Sequence, residues 1–172
     1  GARVLDAAGA ELAGTGGDLA RVAAVDLSGL DPRLADVPIE VACDVNSPLV
    51  GPRGSAHVFG PQKGASPEAV LRLDAGLANL AAVLASQALP DVADVPRAGA
   101  AGGAAGGMAA MLGAALTDGG SLVTTAAGLA DALEGADLCI TGEGRLDDQT
   151  LTGKAPAAVA AACTAAGVPC VG

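Results

Sequence analysis

The segment GADLCITGEGRLDDQTLTGKAPAAVAAACTAAGVPCVG, residues 135–172, decides the fold. Within it, Asp137-Leu-Cys-Ile-Thr141 is a short apolar run bounded by polar residues, the pattern of a buried strand. A polar stretch over 142–152 follows directly, then an Ala-rich stretch over 154–166 that predicts a helix, then a second apolar run over 168–171. Strand, loop, helix and strand in that order predict two parallel strands joined by a right-handed crossover. This places the chain in the α/β class, with a portion of a parallel, Rossmann-like sheet at its C-terminal end.

Working upstream, residues 126–133 read as a helix and 121–124 as a weak strand, with Asp118-Gly119-Gly120 as the exit from the preceding element. The Gly-rich segment 99–107 leads into a small-residue helix ending near Leu116. Residues 98–117 carry no charge until Asp118 and are long enough to cross a bilayer. Their Gly-rich front half is a poor helix former, so the reading is a buried loop followed by a helix. Ser66 is a plausible N-cap and Pro67 suits the first helical position, predicting a helix over 67–89 with Val70, Leu73, Leu77, Leu80 and Leu84 on its apolar face and Pro90 ending it. Residues 46–65 form a long Gly- and Pro-rich polar loop. It follows a strand predicted over 38–43, whose carboxyl end carries Asp44. Short strands are expected at 2–5 and 10–13 around a turn at Ala8-Gly9, and a short helix at 18–24. The domain reading is a second α/β domain over 1–118 and part of a Rossmann-like domain over 119–172. The chain opens on Gly1 and ends on a strand pattern, so both ends read as cut from a longer protein.

Composition narrows the partners. The 172 residues are 51% hydrophobic, but Phe59 is the only aromatic, so the core must be built from many small contacts. A formal charge of -10 repels nucleic acid and anionic membrane alike, and neither is expected as a partner. An anionic substrate needs a local exception, which makes Arg53, Lys63, Arg145 and Lys154 worth locating. Cys43, Cys139, Cys163 and Cys170 show no CxxC spacing and sit among apolar neighbours. They read as small buried hydrophobes in a reducing cytoplasm.

Two constellations carry chemistry. Thr141-Gly-Glu-Gly-Arg-Leu-Asp-Asp-Gln-Thr150 closes with Gly153-Lys154 at a helix start. Glu143, Asp147 and Asp148 supply hard oxygen ligands of the kind Mg2+ accepts, and Arg145 and Lys154 could neutralise phosphate oxygens. Gly142 and Gly144 allow close backbone approach. The competing reading is a solvated loop whose charges pair among themselves. In the second constellation, Asp44 and Asn46 could bind substrate hydroxyls, or could merely cap turns, and Lys63 precedes a helix N-terminus where an anion is favoured. His57 reads as a loop histidine rather than a general base. Segment 99–107 contains no GxGxxG, so its glycines, Gly102 and Gly103 among them, either cradle phosphate or pack helices closely. Walker A is absent: Gly153-Lys154 is followed by Ala155, and Asp148 occupies the place of the upstream glycine.

The strings CDVNSPLVGPRGSAHVFGPQKGASPE, AGAAGGAAGGMAAMLGAAL and GADLCITGEGRLDDQTLTGKAPAAVA, in this order, closely resemble the bacterial glycerate kinase family. The stretches GARVLDAAGAEL and VDLSGLDPRL are similar to it as well, so the resemblance spans nearly the whole chain. It implies a glycerate-kinase-like, two-domain α/β enzyme that transfers the γ-phosphoryl group of ATP to a hydroxyl of the small molecule D-glycerate, with Mg2+ as counter-ion. On this resemblance Asp147, Lys154 and Arg145 are expected to be catalytic. Gly142, Glu143, Gly144, Gly102 and Gly103 are expected to bind the nucleotide, with Glu143 and Asp147 on the metal. Asp44, Asn46 and Lys63 are expected to hold the substrate, facing the first group across a cleft. The family's Lys-bearing amino-terminal motif and its last helices and strands have no counterpart here, so this piece alone is expected to be inactive. The repeated Ala-Ala-Gly-Gly in 100–107 departs from the family's first Gly-rich segment. A non-catalytic module binding an anionic metabolite is the competing function, and the oligomeric state, a homo-oligomer included, stays open.

Overall fold

The computed structural model describes residues 1–144 and 155–172. The chain is α/β and divides into two compact units, one made of Gly1–Val41 with Asn46–Leu116, the other of Ala42–Val45 with Thr117–Gly172. Two strands, β1 (Arg3–Leu5) and β2 (Ala24–Asp26), pair antiparallel in the first unit, with Val4 opposite Val25. The strand expected at 10–13 is reduced to a single bridge between Leu5 and Glu11, because Asp6 accepts from both Ala8 N and Ala10 N and closes the turn tightly. The helix expected at 18–24 is a 3-10 segment, Gly16–Arg21, that stops in time for β2 to begin. Its start is fixed by Asp18, whose carboxylate accepts from the Thr15 hydroxyl at 2.8 Å.

The first unit is organised by one long helix. Between the strand β3 (Glu40–Cys43) and that helix lie two short elements, α1 (Ser55–Phe59) and a 3-10 turn at Pro61–Lys63, where the sequence suggested only loop. The helix α2 (Pro67–Ser86) begins as predicted, with the Ser66 side chain accepting from Ala69 N and Pro67 in the first turn. It buries Val70, Leu77, Ala81 and Leu84, and these join Val22, Val25, Leu49, Ala56, Val92, Ala98 and Ala110 in one core. Although α2 is long and apolar enough to cross a bilayer by length and composition, its apolar stripe packs into this core.

The helix ends at Ser86 rather than at Pro90. Gln87 turns away and pairs with β2 as a strand would: its amide oxygen accepts from Val25 N at 2.8 Å and its amide nitrogen donates to Val25 O at 2.9 Å. Ala88 then takes a left-handed backbone at φ 59. Asn79, two turns earlier on α2, donates to Leu19 O and Val22 O, so this side chain and that of Gln87, just past the helix end, satisfy backbone groups of segment 19–25.

The uncharged segment 98–117 is broken into three pieces: a tight turn at Ala100–Gly103, the helix α3 (Ala104–Leu112), and the strand β4 (Ala115–Asp118). Gly113, left-handed at φ 65, stops α3 four residues before the expected end. β4 pairs with β3, and the chain passes from the first unit into the second along both strands.

In the second unit, α4 (Gly119–Ala126) occupies the residues read as a weak strand. Asp118 decides this by accepting from Ser121 N at 2.8 Å, an N-cap that outweighs the β-propensity of Leu122-Val123-Thr124. After α5 (Leu129–Leu133), β5 (Cys139–Ile140) and β6 (Cys170–Val171) pair in parallel on either side of α6 (Ala155–Ala166), the order the sequence requires. The expected burial does not hold on both faces. Cys139 and Cys170 face the same side as buried Cys163 of α6, whereas Ile140 is 76% exposed and Val171 50%. All four cysteines are free thiols, and burial first, then its cysteine neighbours, pushes the Cys163 thiol up to about 12.

The Gln87 pair gives a test of this organisation. Replacing Gln87 with Ala leaves Val25 N and O without those partners in a part-buried setting, and full-length protein should lose about 1–3 kcal/mol of stability. Urea unfolding followed by circular dichroism measures it, and an unchanged midpoint would contradict the role given to Gln87.

Candidate active site

The residues singled out in sequence fall into three groups. Asn46, Lys63, Gly102 and Gly103 belong to the first unit; Asp44, Gly142, Glu143 and Gly144 belong to the second. Arg145, Asp147 and Lys154 lie outside the described residues, as does Asp148.

In the first unit the loop beginning at Asn46 is pinned by backbone contacts. Ser47 O accepts from Gly99 N at 3.0 Å, and Leu49 N and Val50 N both donate to Ala93 O. Gly51 N donates to Asp74 of α2 at 2.9 Å, and His57 Nε2 lies 3.8 Å from the other oxygen of the same carboxylate. His57, read from the sequence as a loop histidine, instead sits half-buried on the short helix α1 beside Asp74. The loop then presents two exposed cations, Arg53 and Lys63. Among the described residues neither has an ion-pair partner, whereas Arg3, Arg21 and Arg33 are each paired with an aspartate. In a chain of net charge -10, these two exposed cations are a local departure from the overall negative charge. The sequence flagged Arg53 only as a basic residue; that it has no carboxylate partner among the described residues is seen only in the structure.

The Gly-rich segment separates its glycines by role. Ala101, Gly102 and Gly103 are three successive left-handed residues at φ 52, 74 and 95, leading into the first turn of α3. A Cβ on Gly103 would lie 2.7 Å from Leu49 Cδ1 and 3.0 Å from Leu77 Cδ2, and one on Gly99 would lie 2.2 Å from Pro48 O. Packing alone demands those two glycines. Gly102 is exposed with nothing near its Cα, so of the pair only Gly102 leaves the backbone open to approach from outside.

In the second unit Asp44 follows the end of β3, as predicted, and is exposed. Its Oδ1 lies 2.5 Å from where a Cβ on Gly119 would be. Gly119 is the first residue of α4, so its bare Cα lets the Asp44 carboxylate come close to a helix N-terminus, where the backbone dipole favours negative charge. Gly142 and Gly144 flank half-buried Glu143 directly after β5. Neither glycine has a left-handed backbone, and among the described residues a Cβ on either would meet nothing within 4 Å. Among the described residues, conformation and packing therefore give no reason for glycine at either position.

The architecture and these loops define an α/β protein whose polar, glycine-bearing segments follow strand ends, the arrangement of a small-molecule site. The chain belongs to the glycerate kinase family, which it matches over residues 1–172. It is 48% identical over 160 residues to a glycerate 2-kinase of Escherichia coli, covering 93% of this chain and 42% of that protein. Against a glycerate kinase of Bacillus subtilis it is 43% identical over 172 residues, covering 100% of this chain and 45% of the other. A crystal structure provisionally named glycerate kinase 2, from Salmonella typhimurium LT2, superposes with a TM-score of 0.85 at 47% identity, over 99% of this chain and 46% of that one. The chain therefore spans less than half the length of the relatives it matches.

The two kinds of glycine respond differently to a methyl group. Gly103→Ala should cost about 1–3 kcal/mol through the left-handed backbone and the Leu49 and Leu77 contacts, whereas Gly142→Ala should stay within about 0.5 kcal/mol of wild type. Thermal unfolding of the two full-length variants would decide it, and equal losses would remove the distinction.

Proposed function

We propose that this chain is part of an enzyme that transfers the γ-phosphoryl group of ATP to a hydroxyl of D-glycerate. The observation that carries the reading is the match of the entire chain to the glycerate kinase family. The geometry within each unit is in keeping with it. Phosphoryl transfer asks the protein mainly to position two reactants and to offset negative charge. Arg53 and Lys63, which have no ion-pair partner among the described residues, suit the carboxylate of a hydroxy acid, and Asn46 on the same loop can bond its hydroxyls.

In the second unit, Glu143 is a hard oxygen donor between two glycines that have no described neighbour within 4 Å of a Cβ position, which fits a site for Mg2+ and polyphosphate. Glu143 and Asp147 would hold the ion, which when bound supplies positive charge against the phosphate oxygens. Arg145 and Lys154 would draw the phosphate oxygens into place, and Asp44, Asn46 and Lys63 would orient glycerate. Gly142, Gly144 and Gly102 would allow backbone amides to approach the nucleotide. We take the two units to belong to the two domains of the whole enzyme, which works in the cytoplasm on a soluble substrate.

The test uses the full-length protein with ATP, Mg2+ and D-glycerate, following ADP. Turnover is expected, and glycerate or nucleotide binding without ADP release would point to a non-catalytic binding module. Lys154→Ala and Asp147→Asn should lower kcat about 100-fold or more with folding intact, as expected when charge stabilisation of the transferring group is lost. Lys63→Ala should act chiefly on KM for glycerate. Wild-type rates in the first two variants would remove the assignment.

A further inference from the structure

Three thiols of the second unit meet at one point that the proposed reaction does not use. Cys139 on β5 and Cys170 on β6 are directly opposite in the parallel register, so their side chains leave the same face of the strand pair. Cys163, fully buried on α6, comes onto that face from the helix, and the three sulfur atoms all lie within 4.8 Å of one another. Cys139 and Cys170 are only half-buried, so a small ion has a route to the sulfurs.

We propose that Cys139, Cys163 and Cys170 form a three-sulfur binding site for a soft cation, the cuprous ion. Three sulfurs around one metal at about 2.3 Å stand about 4 Å apart, so the cluster needs only a small contraction to close on an ion. Thiolate ligands select soft ions, and copper(I) accepts three of them. Zinc favours a fourth ligand, and among the described residues the cluster contains no histidine or carboxylate. Each ligating thiol gives its proton to solvent as its metal–sulfur bond forms, and no electrons are exchanged. Because β5, α6 and β6 each supply one sulfur, the ion would tie the three elements together.

The experiment is a titration of reduced full-length protein, without oxygen, against copper(I) held by a coloured chelator. Wild type should withdraw one more equivalent of copper(I) than Cys163→Ala or Cys139→Ser does. X-ray absorption should show three sulfur neighbours in the wild type, and its unfolding temperature should rise on loading while those of the variants should not. The Cys139→Ser variant, at a half-buried position, keeps the test sound if Cys163→Ala weakens the fold. Equal copper uptake by wild type and both variants overturns the proposal, as does retention of zinc(II) in place of copper(I).

Discussion

Leu49 and Leu77 close on the bare Cα of Gly103, and the arrangement of the first unit depends on that contact. It joins the loop after Asn46, the long helix α2 and the Gly-rich turn before α3, three segments far apart in sequence. No bulky aromatic fills the space between them, so the backbone itself must come within van der Waals reach of the leucines. Gly99 against Pro48 O and Gly76 against Leu19 follow the same rule. With an interior of Ala, Val and Leu, close backbone approach replaces side-chain volume as the source of packing.

That constraint shapes what the loops can do. Because Gly99 N and Ala93 O hold the backbone of 47–50, and Asp74 holds Gly51, the short stretch carrying Arg53 is anchored just before it turns outward. Lys63 is set on a tight turn directly before the capped start of α2. A charge on a fixed anchor loses less freedom on meeting an anion than one on a loose chain. In the second unit, Gly119 makes room for the Asp44 carboxylate at the start of α4, so an acidic side chain is retained at a strand end at little electrostatic cost.

Local signals were readable where chemistry acts over a few residues. Ser66-Pro67 marked the start of α2 because a side-chain oxygen and a fixed φ suffice to begin a helix. The apolar repeat from Val70 to Leu84 gave its buried face. Signals failed where a distant group decides. Ser121-Leu-Val-Thr124 reads as a strand until Asp118 is seen to cap it, and α1, at five residues, is too short for periodicity to register. The strand β2 was hidden because its stabilisation comes from β1 on one side and from Gln87 on the other, and neither is a sequence neighbour.

The order of residues alone determined the α/β class, the place of Asp44 after a strand, the parallel pairing of the last two strands and the family to which the chain belongs. These follow from patterns of burial and turn chemistry written over short spans. Tertiary structure decided which glycines are needed for packing and which leave room, that Arg53 and Lys63 lack a carboxylate among the described residues, and that Cys139, Cys163 and Cys170 share one point. Each of these is a distance between segments separated in sequence, and such distances are set only when the whole chain balances its packing at once.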